Sequence, residues 1–193
     1  MEAFLVSTFS VAVGEIGDKT QLLSLLLAAR FRRPVPIILG ILTATLFNHA
    51  LAGLVGEWVR AALGPDLLKW ILGLSFVAIG LWALKPDSVD EGDASRFGGS
   101  VFLITVVAFF LAEMGDKTQV ATMMLAAKYH DLVAVVAGTT LGMLIADVPA
   151  VLLGDRAAPK IPFKLVRSIA AAVFCLIGIL VLLGVGGPIQ GKV

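Results

Sequence analysis

Six long apolar segments, separated by short polar breaks, dominate the sequence. They cover residues 3–29, 34–56, 67–84, 100–127, 132–154 and 163–184. Because a bilayer core about 30 Å thick needs about 20 helical residues, each segment is long enough to span a membrane. Only 15% of the residues are charged, against about 25% in soluble domains. The sequence therefore predicts an all-α integral membrane protein with six transmembrane helices.

The two halves of the sequence are copies of one unit. The motif EIGDKTQ at residues 15–21 recurs as EMGDKTQ at residues 113–119, and a shift of 98 residues superimposes the halves without a gap. Equivalent glycines recur along the unit: Gly40 with Gly138, Gly56 with Gly154, and Gly80 with Gly178. Because each unit has three spans, an odd number, the second must enter the membrane from the opposite side. We therefore predict two inverted three-helix repeats, residues 1–84 and 100–193, joined by an acidic linker at residues 85–99.

Basic residues are distributed unevenly between the two sides of this predicted bundle. Nine lie in the first, third and fifth loops, whereas four lie in the termini and the other loops. The nine are Arg30, Arg32, Arg33, Lys85, Arg96, Arg156, Lys160, Lys164 and Arg167. Since basic loops remain in the cytoplasm, the linker is predicted to be cytoplasmic and both termini to lie outside the cytoplasm.

Each copy of the repeated motif lies deep within an apolar segment. About a dozen residues precede Glu15 in its segment, and eight follow Gln21. A charged group at such depth costs roughly 2.5–3.5 kcal/mol on insertion scales, so these groups must face one another, water or an ion. On a regular helix Glu15, Asp18 and Lys19 share one face. The motif glycines favour either close helix contact or a local break that exposes backbone carbonyls, and both alternatives remain open.

Inverted symmetry would bring the two motifs together near the middle of the membrane. Four carboxylates and two lysines there have a formal charge of −2, which matches one divalent cation. Oxygen ligands suit Mg²⁺, Ca²⁺ or Mn²⁺, and the lack of thiolates argues against Cu(I) and Zn²⁺. The alternative is that each Glu–Lys pair is an internal salt bridge between packed helices. The predicted metal ligands are Glu15, Asp18, Gln21, Glu113, Asp116 and Gln119.

Other polar residues within the apolar segments are candidates for supporting roles. The motif lysines, Lys19 and Lys117, could neutralise a carboxylate, bond to backbone carbonyls or hold helices together. The motif threonines would bond to the preceding helical turn or contribute an oxygen to the ion; they are Thr20 and Thr118. His49 and Asp147, equivalent residues of the second and fifth segments, are candidates for proton movement, for an outer shell of the site or for packing.

The doubled E-x-G-D-K-T phrase closely resembles the signature of uncharacterised protein family 0016. This family contains small transporters, including bacterial manganese exporters and Golgi manganese/calcium–proton exchangers, and the resemblance covers essentially the whole chain. It implies export of Mn²⁺, with Ca²⁺ as a related substrate, in exchange for protons. It also implies that the family's acidic motif residues are Glu15, Asp18, Glu113 and Asp116. The short chain looks like a bacterial form located in the plasma membrane.

The predicted mechanism is alternating access, in which the two halves rock about a shared site and protons compete with metal for crowded carboxylates. The expected partners are a divalent ion, protons and membrane lipid, with no resident cofactor; the oligomeric state is not predicted. A net charge of +1 gives no reason to expect nucleic acid binding. The chain is not predicted to be an enzyme, because no H-E-x-x-H phrase or nucleophile–base arrangement is present. The alternatives are an amino-acid exporter, a passive cation channel and a membrane-embedded metalloenzyme.

Overall fold

The computed structural model describes residues 1–85, 99–153 and 163–185, and the regular secondary structure of this part of the chain is entirely helical. The predicted linker lies almost entirely at residues 86–98, outside the described residues, as does Gly154. Eight helices are described. They are α1 (Glu2–Glu15), α2 (Lys19–Phe31), α3 (Pro34–Ala62), α4 (Pro65–Ala83), α5 (Val101–Glu113), α6 (Lys117–Tyr129), α7 (Leu132–Leu153) and α8 (Phe163–Leu182).

Four of the predicted segments correspond to single helices, namely α3, α4, α7 and α8. Three of these, α3, α4 and α7, are long and apolar enough to cross a membrane, whereas α5 and residues 167–182 are shorter apolar helical stretches. The span predicted to end at Gly56 continues to Ala62, because a helix can extend beyond the apolar region. Large apolar side chains such as Phe47, Trp58 and Leu81 are exposed on the helix surfaces. Such an exposed apolar surface is expected where helices face lipid.

The first and fourth apolar segments are each broken into two helices at the motif. The helix of the first segment ends at Glu15 and restarts at Lys19, so the regular helical face expected for the motif does not form. The glycines explain the break, because Gly17 has a φ of +83° and Gly115 a φ of +74°. Glycine adopts this left-handed conformation without the steric cost that a Cβ atom brings. Of the two alternatives left open by the sequence, the structure has the local break.

Close helix packing is provided by other glycines, and the same contacts are made twice. A Cβ atom at Gly40 of α3 would lie 2.6 Å from the Cβ of Thr105 in α5. Correspondingly, a Cβ at Gly138 of α7 would lie 3.0 Å from the Cβ of Ser7 in α1. Ser7 and Thr105 are equivalent under the 98-residue shift, as are the two glycines. Small residues therefore allow α3 to approach α5, and α7 to approach α1, in the same way.

Helices α4 and α8 pack against each other through equivalent residues. A Cβ at Gly80 would lie 2.6 Å from Cys175 Sγ, and one at Gly178 would lie 2.9 Å from Val77 Cγ2. Buried apolar side chains complete the packing in two clusters. One includes Phe76 of α4, Leu125 of α6 and Phe174 of α8, and the other includes Leu27 of α2, Ile41 of α3 and Phe109 of α5.

Candidate metal centre

The two helix breaks have nearly the same backbone shape. Residues 16 and 114 are extended, with φ/ψ of −64°/115° and −60°/119°. Asp18 and Asp116 follow with φ/ψ of −84°/172° and −82°/168°, and each is the N-cap of the next helix. Neither aspartate caps its own helix through its side chain, although Asp commonly does so. Both carboxylates are therefore directed to other partners, at helix ends that favour negative charge.

The motif glutamines stabilise the breaks from the following helical turn. Gln21 Oε1 accepts a hydrogen bond from the Gly17 backbone N–H at 2.9 Å, and Gln119 Oε1 accepts one from the Gly115 N–H at 2.7 Å. A backbone amide released at a helix break needs such an acceptor where water is scarce. The amide oxygens predicted as metal ligands are thus engaged with the backbone.

The nitrogen atoms of the same glutamines connect the two halves of the chain. Gln21 Nε2 donates to the backbone oxygen of Ala146 at 3.0 Å, which joins α2 to α7. Gln119 Nε2 donates to Asn48 Oδ1 at 3.1 Å, which joins α6 to α3. Asn48 and Ala146 are equivalent under the 98-residue shift, so each motif contacts the same position of the opposite half.

The motif threonines orient the glutamates across each break. Thr20 Oγ1 donates to Glu15 Oε2, and Thr118 Oγ1 donates to Glu113 Oε2 at 3.1 Å. The prediction that each threonine bonds to its preceding helical turn is therefore wrong. The helix is interrupted there, and each threonine bonds to the glutamate carboxylate instead. Within the described chain, Glu15 Oε1 and Glu113 Oε1 are buried and have no hydrogen-bond partner. One oxygen of each glutamate is fixed while the other is available to a cation.

The motif lysines form ion pairs between the two halves. Lys117 Nζ lies 2.7 Å from Asp18 Oδ1, and Lys19 Nζ lies 3.3 Å from Asp116 Oδ1. Each lysine thus neutralises an aspartate of the opposite motif. The sequence did not indicate this pairing, since it depends on how the halves face each other. Like the glutamine bonds, the pairs fix one motif against the other.

Three carboxylates from the two motifs converge to form a candidate metal site. Glu15, Glu113 and Asp116 each offer an oxygen, and these oxygens lie within 4.8 Å of one another. Two oxygens bound to one Mn²⁺ or Ca²⁺ at roughly 2.0–2.6 Å are at most about 5 Å apart, so this spacing suits a single ion. The glutamates have no exposed surface and Asp116 is 2% exposed. Such burial of carboxylates requires a compensating cation or proton.

The two further polar residues predicted from the second and fifth segments lie near this site. His49 Nε2 is 3.9 Å from Glu113 Oε2, and neither side chain has exposed surface. That distance is too long for a hydrogen bond. Asp147 Oδ1 accepts a hydrogen bond from Ser24 Oγ at 3.0 Å. Asp147 also lies close enough to Glu15 and Glu113 to interact with them electrostatically. Both residues are therefore at the edge of the carboxylate group, where their predicted part in proton movement remains a proposal.

Ser24 was not identified as a site residue from the sequence, although a signal was present. It lies one helical turn beyond Gln21, on the same face of α2. Its equivalent under the 98-residue shift is Thr122, so a hydroxyl is retained at this position of both halves. Both residues are buried.

Comparison with known proteins identifies the family of this chain. The family described as "Divalent cation/proton antiporter GDT1" matches residues 3–91 and 101–187. The chain belongs to the GDT1 family. The resemblance inferred from the doubled motif is thereby confirmed, and it places the chain in a family of transporters. With its exposed apolar helices, this GDT1 family member is an integral membrane protein.

Similar proteins occur in bacteria and plants. The chain is 50% identical over 180 residues to a Vibrio cholerae protein named "Putative manganese exporter", covering 93% of this chain and 90% of that protein. GDT1-like protein sll0615 of Synechocystis is 28% identical, with 93% and 96% covered. GDT1-like protein 4 of Oryza sativa subsp. indica is 29% identical, with 90% and 70% covered. No solved structure matches the chain.

Proposed function

We propose that this chain exports Mn²⁺ from the cytoplasm in exchange for protons, by alternating access at the site formed by Glu15, Glu113 and Asp116. The observation that carries the proposal is the convergence of three buried carboxylates within 4.8 Å of one another. Membership of a divalent cation/proton antiporter family supports cation–proton exchange. The name of the Vibrio cholerae relative favours manganese among the ions that oxygen ligands suit. Ca²⁺ is the second substrate that we propose.

Charge counting supports the exchange of two protons for each metal ion. Five carboxylates and two lysines surround the breaks, so their formal charge is −3 when His49 is neutral, one unit more negative than the motifs alone give. Three protons neutralise this group, and so do one divalent ion and one proton. A site deep in a membrane should avoid net charge in either state. The carboxylates are those of Glu15, Asp18, Glu113, Asp116 and Asp147.

The remaining predicted ligands have defined parts in this proposal. Asp18 forms the ion pair with Lys117 in this conformation, and its place as a ligand belongs to another step of the cycle. Gln21 and Gln119 act through the backbone amides that they bind. They support the site by maintaining the two breaks, while their oxygens can reach the ion only if those bonds open.

The directions of the helices support the inverted repeat. Helix α7 runs parallel to α1, because Gly138 approaches Phe4 while Gly142, four residues later, approaches Thr8. Helix α3 runs parallel to α5, as shown by two contacts in the same order along both helices. These contacts are Gly40 with Thr105 and Asn48 with Phe110. Equivalent helices of the two halves thus form the same kind of pair.

Helices α4 and α8 are antiparallel, because Gly73 approaches Leu182 while Gly80 approaches Ala171. If successive apolar segments alternate in direction, as short connections require, the first and fourth segments run in opposite directions. That is the arrangement of two inverted three-helix repeats. With the basic odd-numbered loops in the cytoplasm, we propose that both termini lie outside a bacterial plasma membrane.

Proteoliposomes containing the purified protein test this function. A metal-sensitive dye and a pH dye are enclosed together, and a pH gradient is imposed with equal Mn²⁺ on both sides. We expect the proton gradient to drive Mn²⁺ against its own gradient, with protons moving the opposite way. Ca²⁺ and Mg²⁺ in place of Mn²⁺ establish selectivity.

The other candidate functions predict different results. Movement of Mn²⁺ only down its gradient, without proton counterflow, would indicate a channel. Competition by amino acids for transport would indicate a small-solute exporter. A protein with Glu113 replaced by Gln is the inactive reference, and Asp66→Asn is the matched control, because Asp66 is an exposed carboxylate at the start of α4.

A further inference from the structure

The two aspartates of the motifs occupy equivalent positions but different surroundings. Asp18 and Asp116 are both 2% exposed, and each is the N-cap of its helix. Nevertheless, the group of three converging carboxylates found in the described chain contains Asp116 and not Asp18. The site therefore uses both glutamates but only one aspartate.

The ion pairs that the two lysines make with these aspartates also differ. Lys117 Nζ lies 2.7 Å from Asp18 and its side chain is 6% exposed, whereas Lys19 Nζ lies 3.3 Å from Asp116 and its side chain is 24% exposed. Attraction between opposite charges increases at shorter distance and with less solvent. Lys117 thus restrains Asp18 more strongly than Lys19 restrains Asp116.

The second break is also the more open of the two. Met114 is 58% exposed and Gly115 is exposed, whereas Gly17 is buried and residue 16 is only partly exposed. The backbone dihedral angles do not account for the difference, since they agree within about 10° at the two breaks. Equivalent backbones with unequal side-chain contacts can exchange their arrangements through small helix movements.

We infer that the two lysines determine which aspartate completes the metal site, and that this choice is reversed between the two conformations of the transport cycle. In the conformation described, Lys117 holds Asp18 while Asp116 joins the glutamates. In the other, Lys19 holds Asp116 while Asp18 joins them. The inference rests on the proposed function. The lysines are positioning residues, because they act on the ion through the aspartates.

The inference predicts opposite effects for the two lysines on the two faces of the membrane. Lys117→Gln releases Asp18 in the described conformation, so this conformation gains a fourth carboxylate and binds Mn²⁺ more tightly. Lys19→Gln does the same for Asp116 in the other conformation. Each variant should therefore lower the apparent KM for Mn²⁺ on one face of the membrane only. The face affected by Lys117→Gln should be opposite to the face affected by Lys19→Gln. The expected change lies within the roughly 5- to 150-fold range typical of coupled sites.

Inside-out and right-side-out membrane vesicles provide the measurement, because they expose opposite faces to added Mn²⁺. Lys19→Arg and Lys117→Arg keep the charge and should retain the wild-type KM on both faces. Equal shifts on both faces for both Gln variants, or no shift, would overturn the inference. If wild-type vesicles transport Mn²⁺ normally in that case, the proposed function survives. If the wild-type protein moves no divalent cation, it is the proposed function that fails.

Aspartate variants provide a second test that does not require the lysine variants to fold. Asp116→Asn should raise the KM for Mn²⁺ mainly on the face where Lys117→Gln would lower it. Asp18→Asn should raise the KM mainly on the opposite face. A loss of affinity that is equal on both faces for each variant would mean that both aspartates bind the ion together, which contradicts the alternation.

Discussion

The two halves of the molecule agree at the motif breaks and differ in the helices that pack against them. Both breaks combine a left-handed glycine, a glutamine bound to that glycine and a threonine bound to the glutamate. The facing positions differ, since α3 provides Asn48 and His49 where α7 provides Ala146 and Asp147. The repeated part forms the proposed cation site, whereas the part that has diverged surrounds it. We therefore expect metal binding to depend equally on both halves and proton coupling to depend unequally on them.

The largest effect should come from the glutamates. Glu15→Gln and Glu113→Gln each remove a ligand charge while keeping the volume, so each should reduce Mn²⁺ transport by at least about 100-fold. This exceeds the roughly 10- to 100-fold losses seen when groups behind a metal ligand are changed. Transport into proteoliposomes measures the effect, and gel filtration in detergent verifies folding. A large loss for only one glutamate would mean that the halves do not contribute equally.

Substitutions at Asp147 and His49, which differ between the halves, should affect transport less than substitutions of the glutamates and should act on its pH dependence. Asp147→Asn removes one unit of negative charge, so the metal-bound site is neutral without the one proton that the wild-type site retains, while two protons are still exchanged for each Mn²⁺. We expect Mn²⁺ transport by this variant to decline less at high pH, where the wild-type site loses that retained proton, with its maximal rate largely retained. His49→Gln leaves the number of carboxylates unchanged and should alter the pH profile less. Profiles measured between about pH 6 and 8 decide the matter, and equal flattening in both variants would contradict the distinction.

Much of this architecture could be predicted from the sequence, because segment length and internal repetition are direct properties of it. The break in each motif could not be predicted from the sequence, since a glycine such as Gly17 is equally compatible with close helix packing and with a left-handed turn. The ion pairs of Lys19 and Lys117 could not be predicted from the sequence either. A lysine four residues from Glu15 suggests a local pair on a helix, and only the opposed arrangement of the halves directs it to the other motif.

Helix packing should respond to substitution in the same way in both halves. A Cβ at Gly138 would lie 2.5 Å from the backbone oxygen of Phe4, which cannot rotate away. A Cβ at Gly40 would lie 2.6 Å from the Cβ of Thr105, which is also fixed to its backbone. Gly138→Ala and Gly40→Ala should therefore destabilise the protein by similar amounts, within the roughly 1–3 kcal/mol typical of overpacking. Thermal unfolding in detergent tests this expectation, and a large loss for only one of the two variants would contradict it.

The smallest effect should come from substitution of the glycine at a motif break. Gly115 has a φ of +74°, and no atom of the described residues lies within 4 Å of the position of a Cβ atom, so Gly115→Ala should change mainly the backbone energy. The left-handed conformation should cost the variant about 1–2 kcal/mol. Gly64→Ala is the matched control, because the described residues also leave open space around Gly64, whose φ is −68°. It should change the unfolding temperature little, since the lower entropy of the unfolded chain is opposed by the weaker preference of Ala for the N-cap position that Gly64 occupies in α4. Equal unfolding temperatures for the two variants would mean that the break relaxes to another backbone shape, in which case the glycine is conserved between the motifs for access to the site and not for its conformation.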